Sequence, residues 1–150
     1  MSQEPAAAAG QGIRLTLEDY LDEHGNIALP ADQTITRFLD HNIDQFGDTP
    51  AYRYLDFEHD AAGAPVELTW RELGVRLRAV GARLQQVTSP GDRVAILAPQ
   101  GVDYVVGFFA AIQAGNIAVP LFAPELPGHA ERLDAVLSDA LPSAVLTTTA

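Results

Sequence analysis

The sequence predicts an α/β fold: helices and a β-hairpin followed by a β-α-β-α-β parallel unit. Three observations carry this. Arg93-Val-Ala-Ile-Leu-Ala98 is a short apolar run with β-branched residues, bounded by Ser89-Pro90-Gly91-Asp92 before it and Pro99 after it. It is apolar on both faces, as an interior parallel strand is. The stretch Val102 to Ala114 has helical character, and Gly115 after it supplies the left-handed conformation that ends helices. Ile117-Ala-Val-Pro-Leu121 then reads as a second buried strand, with Pro120 predicted at its end or on an edge because it lacks an N–H.

The remaining elements follow in order. MSQEPAAAAGQG, residues 1–12, has no basic segment and no long apolar core, so it reads as a disordered tail and not as a secretory signal. Ile13 to Pro30 is mixed and is expected to be an extended lead-in, with a turn at Glu23-His24-Gly25-Asn26. From Asp32 to Gly47, the residues Ile35, Phe38, Leu39, Ile43 and Phe46 recur at helical spacing. Asp32 or Thr34 is placed to cap that helix and Gly47 to close it. Ala51 to Phe57 and Val66 to Leu68 flank the turn Asp60-Ala-Ala-Gly-Ala-Pro65 and predict a hairpin. Thr69-Trp-Arg-Glu72 is a capping-box pattern, opening a helix whose stripe is Leu73, Leu77, Val80, Leu84 and Val87. Ala123 to Gly128 reads as a loop, Glu131 to Ala140 as a helix, and Ser143-Ala-Val-Leu-Thr147 as a third strand. Both crossover helices are expected on one face of the sheet, with the helices at Ile35–Phe46 and Trp70–Val87 covering the other. An outer strand of so small a sheet is expected to lack its neighbour, which predicts a fragment of something larger that aggregates when isolated.

Composition narrows the function. The 150 residues carry a formal charge of -11, with nine basic residues and 20 acidic ones. All nine are Arg; there is no Lys. Nucleic acid and anionic membrane surfaces are poor partners for such a chain, because phosphate binding needs clustered positive charge. The absence of Cys removes disulfides, thiolate catalysis and Cys-based zinc sites and suits a cytoplasmic protein. No charged residue occurs between Asp103 and Glu125, a run nominally long enough to span a bilayer. Gln113, Gly115, Asn116, Pro120 and Pro124 interrupt it, so a buried helix-turn-strand is predicted and not a transmembrane segment.

Few constellations point to chemistry. The turn Ala98-Pro99-Gln100-Gly101 has one Gly and a Pro where a dinucleotide fold needs a Gly-rich bend, so a nicotinamide dehydrogenase is not expected. A Walker A loop requires a Lys and is excluded. Asp56, Glu58, His59 and Asp60 are divalent-cation ligand types, but their spacing matches no metal loop, and a solvated hairpin tip is the plainer reading. Glu125 and His129 form an acid–base pair only on paper; a surface loop accounts for them. Ser89, Ser138 and Ser143 lack the G-x-S-x-G setting of a nucleophile elbow. Tyr104, Phe108 and Phe109 on the central helix have the character of a lipid-pocket floor, but core packing is the default reading for them. These residues alone describe an acidic α/β segment without a complete active site.

The order of the segments adds a resemblance. Leu68-Thr-Trp-Arg-Glu-Leu73 resembles the first core motif of adenylate-forming enzymes, the superfamily of acyl-CoA synthetases, peptide-synthetase adenylation domains and luciferases. Ile112-Gln-Ala-Gly-Asn-Ile-Ala-Val-Pro-Leu121 resembles the second, and Gly91-Asp-Arg-Val-Ala-Ile-Leu97 lies between them as in that superfamily. Ala51 to Phe57, Gly81 to Gln86, Pro99 to Tyr104, and Val119 to Pro124 continuing to Pro127-Gly-His129, look like the fatty-acyl-AMP ligases of actinobacteria, in the branch serving mycolic acid assembly. The resemblance runs from about Tyr20 to Thr149 and implies that residues 13–150 are an incomplete N-terminal portion of an AMP-binding domain.

What the resemblance implies is a two-step reaction. A long-chain fatty carboxylate attacks the α-phosphate of Mg²⁺-bound ATP, giving acyl-AMP and pyrophosphate. The acyl group then passes to the phosphopantetheine thiol of an acyl carrier protein or polyketide synthase. In that family the phosphate loop, the adenine contacts and an essential Lys come later in the chain, so no catalytic, cofactor-binding or metal residue is carried onto this sequence. A fatty-acyl-CoA ligase of the same superfamily and a non-catalytic α/β binding module are the alternatives.

Overall fold

The computed structural model describes residues 17–28, 34–58, 60–121 and 129–148. The tail at 1–12, the loop at 123–128 and His59 lie outside them. The chain divides into two units, residues 1–34 and 35–150.

In the first unit, Leu17–Tyr20 forms one 3-10 turn. Leu21 then bridges Ile27 in antiparallel fashion around the turn read from the sequence. Asp22 organises that turn: its Oδ1 accepts the N–H of His24 at 2.9 Å and of Asn26 at 2.8 Å. Gly25 supplies φ 78°.

The second unit begins with α1 (Ile35–Phe46), then the antiparallel pair β1 (Pro50–Asp56) and β2 (Ala64–Thr69). Helix α2 (Trp70–Gln85) follows, then β3 (Arg93–Leu97), α3 (Val102–Gln113), β4 (Ile117–Pro120), α4 (His129–Ala140) and β5 (Ala144–Thr147). The predicted elements are present, most of them within two residues of their expected ends.

Helix α2 starts where it does because its first N–H groups are met. Glu72 N–H donates to Thr69 Oγ1 at 3.2 Å, and Glu72 Oε2 accepts the Thr69 N–H at 2.9 Å, which closes the capping box. Trp70 N–H donates to Thr49 O and Arg71 N–H to Gly47 O, so the turn after α1 serves the next two donors. Arg71 then grips Asp48 with two nitrogens, at 2.8 and 3.2 Å.

The apolar stripes form two clusters. Leu39 and Ile43 of α1, Leu68, Leu73 and Leu77, and Val106 and Ala110 of α3 make the first. Leu84, Val94, Ile96, Ala111 and Ala114 make the second, so α2 and α3 share one face of the parallel sheet. Each fully buried Leu here contributes about 1.5–3 kcal/mol relative to exposure. Small residues let the helices close. A Cβ on Gly74 would stand 2.9 Å from Ile43 Cγ2, whereas one on Gly81 would make ordinary contact, 3.6 Å from Ala110 O.

The parallel sheet has the order β4-β3-β5, with Val94 paired to Ala118 on one side and to Ala144 on the other. This corrects the expected layering. β4 lies on one side of β3 and β5 on the other, so right-handed crossovers carry α3 and α4 to opposite faces. Ala95, which alternates away from Val94 and Ile96, is 0% exposed, as a second covering layer requires. Helix α2 lies beside α3 and does not cover the opposite face. Three short parallel strands are compatible with either order by length and hydropathy, which do not encode the direction of the second crossover.

Candidate functional site

A reversal of strand order creates a crevice. The chain leaves the carboxyl end of β3 toward α3, while β5 ends beside it, and ligands of open α/β sheets bind at such switch points. A hollow of about 380 Å³ lies there. Its walls are Ile96 and Ala98 from β3 and the residue after it, Leu146, Thr147 and Thr148 from the end of β5, Asp103, Val106 and Gly107 from α3, and Val80 from α2. Its lining is apolar apart from two threonines and one carboxylate. Asp103 stands in the first turn of α3, and its Oδ1 accepts from Arg76 Nη1 at 3.3 Å. A Cβ at Gly107 would stand 3.4 Å from Ile96 Cγ2 and 3.6 Å from Leu146 Cδ1, so glycine keeps this wall thin.

A second hollow, of about 360 Å³, lies on the other side of the start of α3. Tyr52, Arg53 and Tyr54 of β1 face Gln100, Gly101, Val102, Tyr104 and Val105 across it. Partial burial raises the Tyr52 phenol above its ordinary range. Arg53 is committed to Glu67 across the hairpin.

The residues singled out in the sequence fall apart in space. Asp56 Oδ1 accepts the Glu58 N–H at 2.9 Å, and Asp60 Oδ1 accepts the Ala62 N–H at 2.8 Å, so both carboxylates shape the hairpin turn. Among the described residues no group of three His, Cys, Asp or Glu side chains could hold a metal ion. Glu125 lies outside the described residues, and His129 opens α4. Ser89 serves through its main chain: its carbonyl accepts from Asn116 Nδ2 and its N–H donates to Asp92 Oδ2. Ser138 and Ser143 are exposed on α4 and just before β5. Tyr104 lines the second hollow, whereas Phe109 packs on the first core cluster with Phe108 edge-on to it at 5.3 Å. Among the described residues no helix is long and apolar enough to cross a membrane.

Asp103, Gly107, Thr147 and Thr148 were not singled out from the sequence as site residues. Their common signal is position: the turn and first helical turns after one buried strand, and the last residues of another. That signal becomes visible only once the strand order is known.

Parallel strands in the order β4-β3-β5 with a hollow at their carboxyl ends define the class as an open α/β domain. The family model for AMP-binding enzyme matches residues 39–150. The chain belongs to the AMP-binding enzyme family. Over 125 residues it is 54% identical to the long-chain-fatty-acid–AMP ligase FadD32 of Mycolicibacterium smegmatis, covering 83% of this chain and 20% of that protein. It is 42% identical over 120 residues to the putative fatty-acid–CoA ligase FadD21 of Mycobacterium tuberculosis, covering 80% of this chain and 21% of the relative. The crystal structure of the fatty acid AMP ligase from Legionella pneumophila superposes with a TM-score of 0.72 over 78% of this chain and 20% of that one; at 22% identity this likeness speaks to the fold. The chain thus spans about one fifth of the length of the curated relatives it matches.

Proposed function

We propose that this chain is the N-terminal portion of a cytoplasmic ligase, and that residues 13–150 are an incomplete part of its AMP-binding domain. The full-length enzyme activates a long-chain fatty acid with ATP and Mg²⁺ to acyl-AMP and pyrophosphate, then passes the acyl group to an acyl carrier protein or polyketide synthase, in the branch that serves mycolic acid assembly. The observation that carries this reading is the 54% identity, over most of the chain, to a protein named as a long-chain-fatty-acid–AMP ligase.

The residues present do not fit a Mg²⁺-triphosphate. Phosphoryl chemistry needs cationic groups and a metal where charge builds. Lys is absent from the sequence, and the charged side chains at the crevice are Asp103 and the Arg76 paired with it. The groups that hold ATP and Mg²⁺ are therefore assigned to polypeptide beyond this segment, and the segment serves as scaffold.

The test is pyrophosphate release by the full-length enzyme with ATP and a long-chain fatty acid, followed by offering CoA or holo acyl carrier protein. Expected are acyl-AMP formation and acyl transfer to the carrier protein, with residues 1–150 alone releasing no pyrophosphate. Absence of acyl-AMP from the full-length enzyme would overturn the reading, and turnover by the pure segment would overturn its role as scaffold. The 42% identity to a putative fatty-acid–CoA ligase favours a second reading, in which CoA is the acceptor; rapid acyl-CoA formation in the same assay selects it.

A further inference from the structure

Two exposed surfaces of this chain carry opposite charge. In the β1–β2 hairpin, Asp56, Glu58, Asp60 and Glu67 stand against the single Arg53, a net of -3 over residues 50–69. Helix α2 holds Arg71, Arg76, Arg78 and Arg83 against Glu72 alone, a net of +3 on a chain of -11. Arg71 and Arg76 are paired with Asp48 and Asp103. Among the described residues Arg78 meets no carboxylate, and Arg83 donates to the neutral Gln86 side chain.

Each surface has an apolar centre. Tyr52 and Tyr54 face the start of α3, so strand alternation turns Leu55 and Phe57 away from the body of the molecule. Phe57 is 61% exposed, yet its ring is seated. It lies on Gly63, where a Cβ would stand 2.9 Å from Phe57 Cε1 and 3.1 Å from Leu55 Cβ. A glycine at φ 82° thus holds an aromatic ring at the surface, ready to enter a partner. On α2, Val75, Ala79 and Ala82 recur at helical spacing on the exposed side, with Val75 57% exposed. At 3.6 residues per turn, Arg71 and Arg78 border that stripe on one side and Arg76 and Arg83 on the other.

An acid-rimmed apolar finger and an arginine-rimmed apolar helix face therefore complement each other in sign and in centre. Within one copy Phe57 and Val75 both stand exposed, so neither covers the other. We propose that the protein forms a two-fold dimer in which the hairpin of each copy, through Leu55 and Phe57, docks on the Val75–Ala79–Ala82 face of α2 in the other. A two-fold axis uses each surface once in each direction, so both copies bury the same pair of faces and the contact closes on itself. The arginines that border the stripe also oppose the repulsion between two acidic chains, which makes the association sensitive to salt.

The experiment is sedimentation of the full-length protein over a concentration series, with Phe57→Ser and Arg78→Glu as variants. Both side chains are exposed, so each variant should keep the parent's melting temperature. Expected is a dimer whose dissociation constant rises roughly thirtyfold or more in either variant, as for loss of an interface anchor, and rises again in about 0.5 M salt. A mixture of the two variants should associate more tightly than either alone, because one of its two hairpin-to-helix contacts is intact. Protein that stays monomeric throughout overturns the proposal. A dimer indifferent to both substitutions joins through another face and overturns it too, and failure of the mixed variants to recover overturns the pairing of hairpin with α2. The readout needs no substrate, so it fails or holds separately from the ligase assay above.

Discussion

Asn116 reaches back to Ser89, its Nδ2 donating to the Ser89 carbonyl at 3.0 Å. The side chain is 7% exposed, and the Thr88 hydroxyl, 2.8 Å from Leu84 O and 3.2 Å from Asn116 Oδ1, has one proton to share between them. The amide ties the end of α2 to the turn between α3 and β4, while Gly91 N–H donates to Gly115 O beside it. Replacing Asn116 with Ala removes this tie and leaves the exposed Ser89 carbonyl to water, and the expected cost is about 0.5–1.5 kcal/mol in chemical denaturation. An unchanged midpoint would mean that water serves Ser89 equally well.

Two glycines of α2 predict opposite outcomes for one substitution. Ala at 81 fits, with its Cβ 3.6 Å from Ala110 O, and the gain in helix propensity should stabilise by about 0.5–1 kcal/mol. Ala at 74 drives its Cβ to 2.9 Å from Ile43 Cγ2 and 3.0 Å from Cδ1. That overpacking should outweigh the propensity gain and destabilise by roughly 1–2 kcal/mol. Thermal melts of the two variants against the parent decide the signs.

Leu141 is the one described non-Gly residue with positive φ, at 46°, and it is 72% exposed. Its N–H donates to Leu137 O as α4 ends. A left-handed residue at this place favours glycine. Leu141→Gly should relieve roughly 1 kcal/mol of backbone strain and lose little burial, so the melting temperature should rise. A fall would show that the leucine side chain packs in solution.

Acid should loosen the junction of α1 and α2. Hydrogen bonding to Arg71 holds the Asp48 carboxyl below its usual range, and the Thr69 main chain does the same for Glu72. Depressed carboxylates stabilise the folded state above their unfolded pKa values, near 3.8 and 4.5, and that stability is lost as pH falls through the lower folded values. Stability measured between pH 7 and pH 3 should therefore fall less steeply in Asp48→Asn and Glu72→Gln than in the parent. Both groups are exposed, so 0.5 M salt should shrink the Asp48–Arg71 contribution.

Local elements were legible because local chemistry decides them. Thr69 and Glu72 announce the start of α2 through donors that only a capping side chain can reach. Gly115, at φ 87°, marks the end of α3 for the same kind of reason. What the sequence concealed was relational. Nothing within Ala144–Thr147 itself tells whether it pairs with β3 or with β4; the one pointer lies in Pro120, whose missing N–H makes β4 the poorer partner. The crevice depends on that choice, so Asp103, Thr147 and Thr148 stayed invisible as neighbours. The clustering of Asp56 and Asp60 was legible and misleading: carboxylates near a turn serve its N–H groups as readily as they serve a cation.

The reversal at β3 also separates two walls mechanically. The turn leaving β3 runs into α3 on one face, whereas α4 delivers β5 from the opposite face. Remodelling Ala98 to Gly101 would thus reshape one bank of the crevice while Thr147 and Thr148 hold the other still. A lineage built on this frame can vary one bank of the hollow while the other stays fixed.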